Sequence, residues 1–198
     1  MSVSSNNFRW ANRLCCIFWQ SRTGRDVDKR RWIERAESLQ REAHEGTLVL
    51  SVGRDVPAKG FDVLRAACKL AGVDPAIVVG GREEHDLAQS YVDADIFALL
   101  SQHEPWGVVV NEAAASGLPL VLSDRVGAAR DLLRDGENGF LVPAGDVPRS
   151  ADALRTLAGD AELRRRMGER SRELVRGWGY QPSVDSFLEA VREATARP

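Results

Sequence analysis

Residues 95–122 read DIFALLSQHEPWGVVVNEAAASGLPLVL, and this stretch decides the fold. Asp95–Leu100 is a short apolar run of strand length, the mark of a buried strand. Residues 107–116 follow as a helix, and Gly117 stands where a helix commonly ends. Leu118-Pro119-Leu120-Val121-Leu122 is apolar again and reads as a second strand. Strand, loop, helix and strand in so short a span describe two parallel strands joined by a helical crossover.

The alternation continues in both directions. Upstream, Thr47–Val52 is a strand ended by Gly53, and Phe61, Leu64, Ala67, Cys68 and Ala71 form a helical stripe ended by Gly72. Ala76–Val79 is a strand ended by Gly80-Gly81, and residues 83–91 suit a short helix. Downstream, residues 127–134 suit a helix ending near Gly136, and Phe140-Leu141-Val142 is a short strand before Pro143. Five apolar strands alternating with helices predict an α/β protein. Its core is a doubly wound, Rossmann-like parallel sheet of about five strands with helices on both faces.

The flanks are helical. Residues 26–45 are dense in charge, with Trp32, Ile33, Ala36, Leu39 and Ala43 at helical spacing. The C-terminal helices 147–196 carry three stripes. The first is Val147, Ala151, Leu154 and Leu157; the second is Leu163, Met167 and Leu174; the third, after Pro182, is Val184, Phe187, Leu188 and Val191. Residues 1–25 show no steady period and are expected to form a poorly ordered N-terminal segment ahead of one domain, 26–198.

Composition excludes several classes. The chain has 198 residues, 43% hydrophobic and 28% charged, which excludes disordered, collagen-like and polytopic membrane proteins. Its 27 basic and 29 acidic residues give a net charge of −2, so bulk charge offers no reason to expect a nucleic acid partner. The cysteines Cys15, Cys16 and Cys68 form no disulfide pattern and fit a reducing, cytoplasmic location. His44, His85 and His103 do not stand at metal-ligand spacing. The apolar run Leu14–Trp19 is too short for a bilayer, which needs about 20 residues. With Arg9, Trp10 and Arg13 it leaves at most a peripheral membrane contact. The basic run Arg164-Arg165-Arg166, with Arg170, Arg172 and Arg176, is interleaved with Glu162, Glu169 and Glu173. It reads as a solvated helix face, a polyanion site being the minor alternative.

In a doubly wound sheet, ligands bind at the loops following the strands. Here those are 53–60, 80–84, 101–107, 123–127 and 143–147. In the first, Gly53 allows a sharp turn, Arg54 offers a planar fork of donors, and Lys59 adds charge beside a helix start. Together they suit a diphosphate, although a tight turn with two exposed basic residues explains the pattern equally well. The third loop carries Glu104, able to accept hydrogen bonds from sugar hydroxyls, ahead of a helix near Gly107. Glu112 lies on that helix's second turn, where it could take the paired hydroxyls of a ribose. The open N–H groups of Gly107, Val108 and Val109 make an anion site between them. An acidic flank at a helix start, favoured by the helix dipole alone, is the plainer reading.

The order of these features is specific. Arg54/Lys59, Glu104-x7-Glu112, Gly117-x-Pro119, Ser123…Gly127 and Asn138-Gly139-x-Leu141-Val142 together resemble the C-terminal half of the retaining glycosyltransferases of family 4, enzymes of the GT-B fold. Residues 106–127 carry that family's core motif, and Val27-Asp28 with Trp32 is similar to its Val-Asp-x-x-x-Phe stretch. The resemblance implies one half of a GT-B fold that binds a nucleotide-sugar donor, such as a UDP- or GDP-sugar, with no metal or other cofactor. It assigns catalysis to Glu104, Arg54 and Lys59. Gly53, Arg54 and Lys59 would hold the diphosphate, Glu104 the donor sugar, and Gly107 and Val108 would offer backbone N–H groups. Glu112 would hold the ribose.

Two departures qualify what the resemblance implies. Fewer than fifty residues precede the first strand, so the acceptor-binding domain is expected to be missing from this chain. Transfer would then need a partner chain or upstream segment, with a sugar or lipid-linked acceptor that the sequence does not name. The stretch from Gly81 to Ala94 is also shorter than in the family, which has a further helix and strand there. A non-catalytic or degenerate nucleotide-diphosphate-binding fragment is the alternative reading. Asp93-x-Asp95 mimics the metal-binding Asp-x-Asp of the other glycosyltransferase fold, but it opens a buried strand.

Overall fold

The computed structural model describes residues 29–79 and 84–176, with 178, 184, 185, 188, 189, 191, 192 and 195 beyond them. The expectations for residues 1–25, for Val27-Asp28, for Gly80-Gly81 and for Phe187 fall outside the described residues.

In chain order the elements are α1 (Lys29–Ser38), β1 (Leu48–Gly53), a 3-10 turn (Pro57–Lys59), α2 (Phe61–Ala71) and β2 (Asp74–Val79). There follow α3 (Glu84–Asp93), β3 (Ile96–Leu99), α4 (Val108–Ala115), β4 (Leu120–Ser123), α5 (Ala129–Leu132) and β5 (Gly139–Val142). Helices α6 (Val147–Gly159) and α7 (Ala161–Arg176) come last among the continuous elements. The five strands form one parallel sheet in the order β2-β1-β3-β4-β5, as the alternation predicts.

Both faces of the sheet are covered. Successive strand residues point to opposite faces. Thus Leu50, Val52, Phe97, Leu99, Leu120 and Leu122 enter one apolar cluster with Tyr91, Val110 and Ala113. Val49, Ile96, Ala98 and Val121 enter the other with Leu64, Ala67, Cys68, Leu154 and Leu157. Every residue of β3 and β4 is buried, whereas β2, at the edge, is largely accessible. Burial pushes the Cys68 thiol up to about 12, with the nearby Asp74 carboxylate adding to the effect, so this cysteine is a packing residue.

Two expectations change. The helix read over 26–45 ends at Ser38 within the described residues. The chain then unrolls because its polar groups are used elsewhere. The Gln40 carbonyl accepts from Gln89 Nε2, the Glu42 N–H donates to Asp93 Oδ1 at 2.8 Å, and Arg41 pairs with Asp95 at 2.7 Å. The strand read from Leu118 starts at Leu120, since the Leu118 N–H still bonds back to Ala113 and Pro119 has no N–H to offer.

Asp93-x-Asp95 is thereby explained. Asp95 accepts from the Leu48 N–H at 2.9 Å and faces Arg41, His44 and Arg164. It stands at the start of β3, the end of the sheet opposite the ligand loops, and ties the strand starts together. Several arginines of α7 are engaged as well. Arg165 pairs with Glu162 and Glu169, and Arg170 with Glu173 and Glu137, the pairing expected of a solvated helix face.

Candidate functional site

From β1 the chain steps outward to β2. From β3 it steps the other way, to β4 and β5. The winding reverses between β1 and β3, and the crevice at the carboxyl ends of strands flanking such a switch is where this architecture binds ligands. The loops following β1 and β3 hold the residues singled out in the sequence.

The two loops are laced together. Gly60, with φ 64°, ends the 3-10 turn and starts α2; a Cβ there would lie 2.2 Å from the Leu100 carbonyl oxygen. Only a glycine lets the β1 loop approach the end of β3 so closely. The Gln102 N–H donates to the Ala58 carbonyl at 2.8 Å. A third loop joins from β4: the Glu104 N–H donates to the Arg125 carbonyl at 3.1 Å, and the Gly127 N–H donates to the Glu104 carbonyl at 2.9 Å. A Cβ on Gly127 would lie 2.0 Å from the Pro105 carbonyl oxygen.

These contacts bring Lys59 and Glu104 together as an ion pair, both side chains largely buried. Arg54 lies on the same loop but is exposed, and among the described residues its guanidinium has no hydrogen-bond or ion-pair partner. Lys59 is matched by a carboxylate and Arg54 is not, so Arg54 presents unmatched positive charge on the loop after β1.

Gly107, with φ 91°, precedes α4 without any side chain capping the helix start. The first N–H groups of α4, Val108 among them, are therefore not used by a cap and suit an anion. Trp106 fixes the approach to the helix: its Nε1 donates to Asn111 Oδ1 at 3.0 Å, and its ring lies 5.2 Å from that of Trp178. Glu112 is buried on the second turn, 6% exposed, and accepts from the Tyr91 hydroxyl at 2.8 Å.

The structure thus brings Lys59, Glu104 and Gly107 together, while Arg54 is exposed on the loop after β1 and Glu112 is buried on the second turn of α4. Gly53 differs from its expected role. It lies outside the left-handed region, ends β1, and a Cβ there would meet Lys59 at an ordinary 3.4 Å, so the sharp turn comes at Gly60 instead. The sequence reading gives no role to Gly60 or to Tyr91. Gly60 could have been found from its place before a helix, but its closeness to Leu100 is a tertiary fact. Among the described residues no group of three or more His, Cys, Asp or Glu could hold a metal ion, and no helix is long and apolar enough to cross a membrane.

Comparison with known proteins agrees with this architecture. The lipopolysaccharide core biosynthesis glycosyltransferase LpsE of Rhizobium meliloti is 32% identical over 169 residues, 73% of this chain and 49% of that protein. The chain spans about half or less of the length of the curated relatives it matches. A glycosyltransferase structure from Rickettsia africae superposes with a TM-score of 0.73 at 17% identity, covering 88% of this chain and 57% of that one. The Anabaena protein HepE, solved with UDP and glucose, gives a TM-score of 0.62 at 20% identity, covering 77% and 49%. At these identities the structures speak for the fold alone, one shared with GT-B glycosyltransferases. The family described as glycosyl transferases group 1 matches residues 69–174, more than half of the chain, and this chain belongs to that family.

Proposed function

We propose that the chain is the donor-binding half of a retaining glycosyltransferase and holds a nucleoside diphosphate sugar in the crevice between β1 and β3. The reading rests on one juxtaposition: Lys59 from the loop after β1 and Glu104 from the loop after β3 meet where the sheet reverses its winding. A diphosphate laid across these loops would take the Arg54 fork and Lys59, with the start of α4 beyond it. Glu104 would turn to hydroxyls of the donor sugar, and Glu112 would hold the ribose.

In the reaction the bond between the anomeric carbon and the β-phosphate oxygen breaks, the acceptor hydroxyl oxygen bonds the anomeric carbon on the same face of the sugar, and the hydroxyl proton passes to the departing diphosphate. Negative charge then gathers on the departing diphosphate. Arg54, Lys59 and the α4 amides would stabilise it, a role that would require no metal ion. The acceptor, a sugar or a lipid-linked one, would be held by a second domain, supplied upstream or by a partner chain. Transfer by these 198 residues alone is not expected. A cytoplasmic location, with at most a peripheral membrane contact, fits the unpatterned cysteines and the motif-bearing donor domain.

Titration calorimetry with UDP and GDP tests the reading. Heat saturating at or below millimolar nucleotide is expected for one of them, and no heat with either overturns it. Arg54→Ala should weaken the interaction by about 1.5–3 kcal/mol, the range for a hydrogen bond to a charged group. Unchanged affinity removes Arg54 from the site.

A further inference from the structure

Tyr91 lies near the end of α3 and is fully buried. Its ring stacks on Phe97 of β3 with centroids 5.9 Å apart, within the same apolar cluster as Leu87, Ala88 and Val110. The ring cannot swing without opening that cluster, so its hydroxyl is carried at a fixed point. From there it donates to Glu112 Oε2 at 2.8 Å and lies 3.4 Å from the Val109 carbonyl oxygen.

The last torsion of a glutamate is soft, with broad wells. A charge-assisted hydrogen bond from a rigid donor removes that freedom. We infer that Tyr91 is a positioning residue for donor recognition: its hydroxyl sets the plane in which the Glu112 carboxylate receives the paired hydroxyls of a ribose. The inference rests on the proposed role of Glu112. The ordering entropy is then spent in folding and not at binding, which raises affinity without any contact between Tyr91 and the ligand. A tyrosine serving only to satisfy a buried carboxylate would act on stability, whatever sugar the nucleotide carries.

Ligands with and without the ribose hydroxyls separate the two roles. Calorimetry on the full chain would compare UDP and GDP with their 2′,3′-dideoxy counterparts, for the unaltered protein, Tyr91→Phe, Glu112→Gln and the double variant. Circular dichroism checks that each is folded at the titration temperature. Tyr91→Phe should raise the Kd of the ribonucleotide about tenfold and leave that of the dideoxy analogue within twofold. Added to Glu112→Gln, the same change should move the ribonucleotide Kd by less than twofold, because the carboxylate it orients is gone. The double variant carries no buried charge at this point, which keeps the test open if Tyr91→Phe alone folds poorly. Equal weakening of both ligands, or no change in the ribonucleotide, overturns the inference. If Glu112→Gln still weakens ribonucleotide binding in that case, the donor-site reading stands. Should the unaltered chain take up neither nucleotide, the donor-site reading falls and this inference with it.

Discussion

The two ends of the sheet are both rich in charge, and they use it differently. At the strand starts, Asp95 is 8% exposed, accepts from the Leu48 N–H, pairs with Arg41 and lies 3.5 Å from His44. Arg164 completes the ring and also donates to the last carbonyls of α6, Leu157 and Ala158. The charges around Asp95 answer one another, and the result is a clasp. At the strand ends, Lys59 and Glu104 answer each other, while the exposed Arg54 meets no partner among the described residues and α4 starts without a side-chain cap. A closed polar cluster belongs to the fold, and an open one is available to a ligand. Counting charges would not distinguish the two ends; tracing their partners does.

Breaking each end separately sharpens the contrast. The largest effect is expected from Gly60→Ala. The new Cβ would meet backbone at Leu100, which cannot step aside, in a conformation that alanine resists. Stability should fall by about 2–4 kcal/mol in urea denaturation, and nucleotide binding should fail with it. A variant as stable as the parent would show that the β1 and β3 loops are not held at that spacing.

Asp95→Asn comes next. It removes a mostly buried charge from Arg41 and keeps the side chain's shape, so a loss of about 2 kcal/mol is expected. Nucleotide affinity should be unchanged, since the clasp lies at the far end of the sheet. Arg54→Ala should do the reverse, with stability within about 0.5 kcal/mol of the parent. If Asp95→Asn alters the affinity for UDP or GDP while stability holds, the two ends are not independent.

The smallest effect is expected from Glu104→Gln. In the unliganded chain a diphosphate must compete with Glu104 for Lys59. Removing that carboxylate's charge should tighten binding of UDP or GDP by a few-fold, at a stability cost under about 1 kcal/mol. The same change should weaken a full nucleotide sugar, whose hydroxyls lose their acceptor. Calorimetry with both ligand types reads the opposite signs. Weaker binding of the bare diphosphate would mean that Glu104 helps to hold Lys59 in place for it.

Much of this was legible in the chain itself. The strands and helices could be placed because their apolar residues recur every second or every third to fourth position, a local signal. The loops carrying Arg54, Lys59, Glu104 and Glu112 followed from that placement, because chemistry in such a sheet gathers after the strands. A residue's fate is not legible where it depends on distant partners. The helix over 26–45 is amphipathic enough to continue past Ser38, but Arg41 and Glu42 lie beside Asp95 and Asp93, more than fifty positions later. Tyr91 sits among plausible core residues, and nothing local marks its hydroxyl as a partner for Glu112, 21 positions on.

The sequence by itself determined an α/β domain of five strands, the positions of most of its helices and the loops in which a donor site belongs. Hydrophobic period and turn chemistry act within a few residues, so they survive in the linear record. The tertiary structure alone decided the strand order, the reversal between β1 and β3, the close approach at Gly60, and which charges cancel and which stay open. Those depend on contacts between segments distant in sequence, such as Lys59 with Glu104, 45 positions apart, and Arg41 with Asp95, 54 apart. They exist only once burial of both sheet faces has brought the segments together.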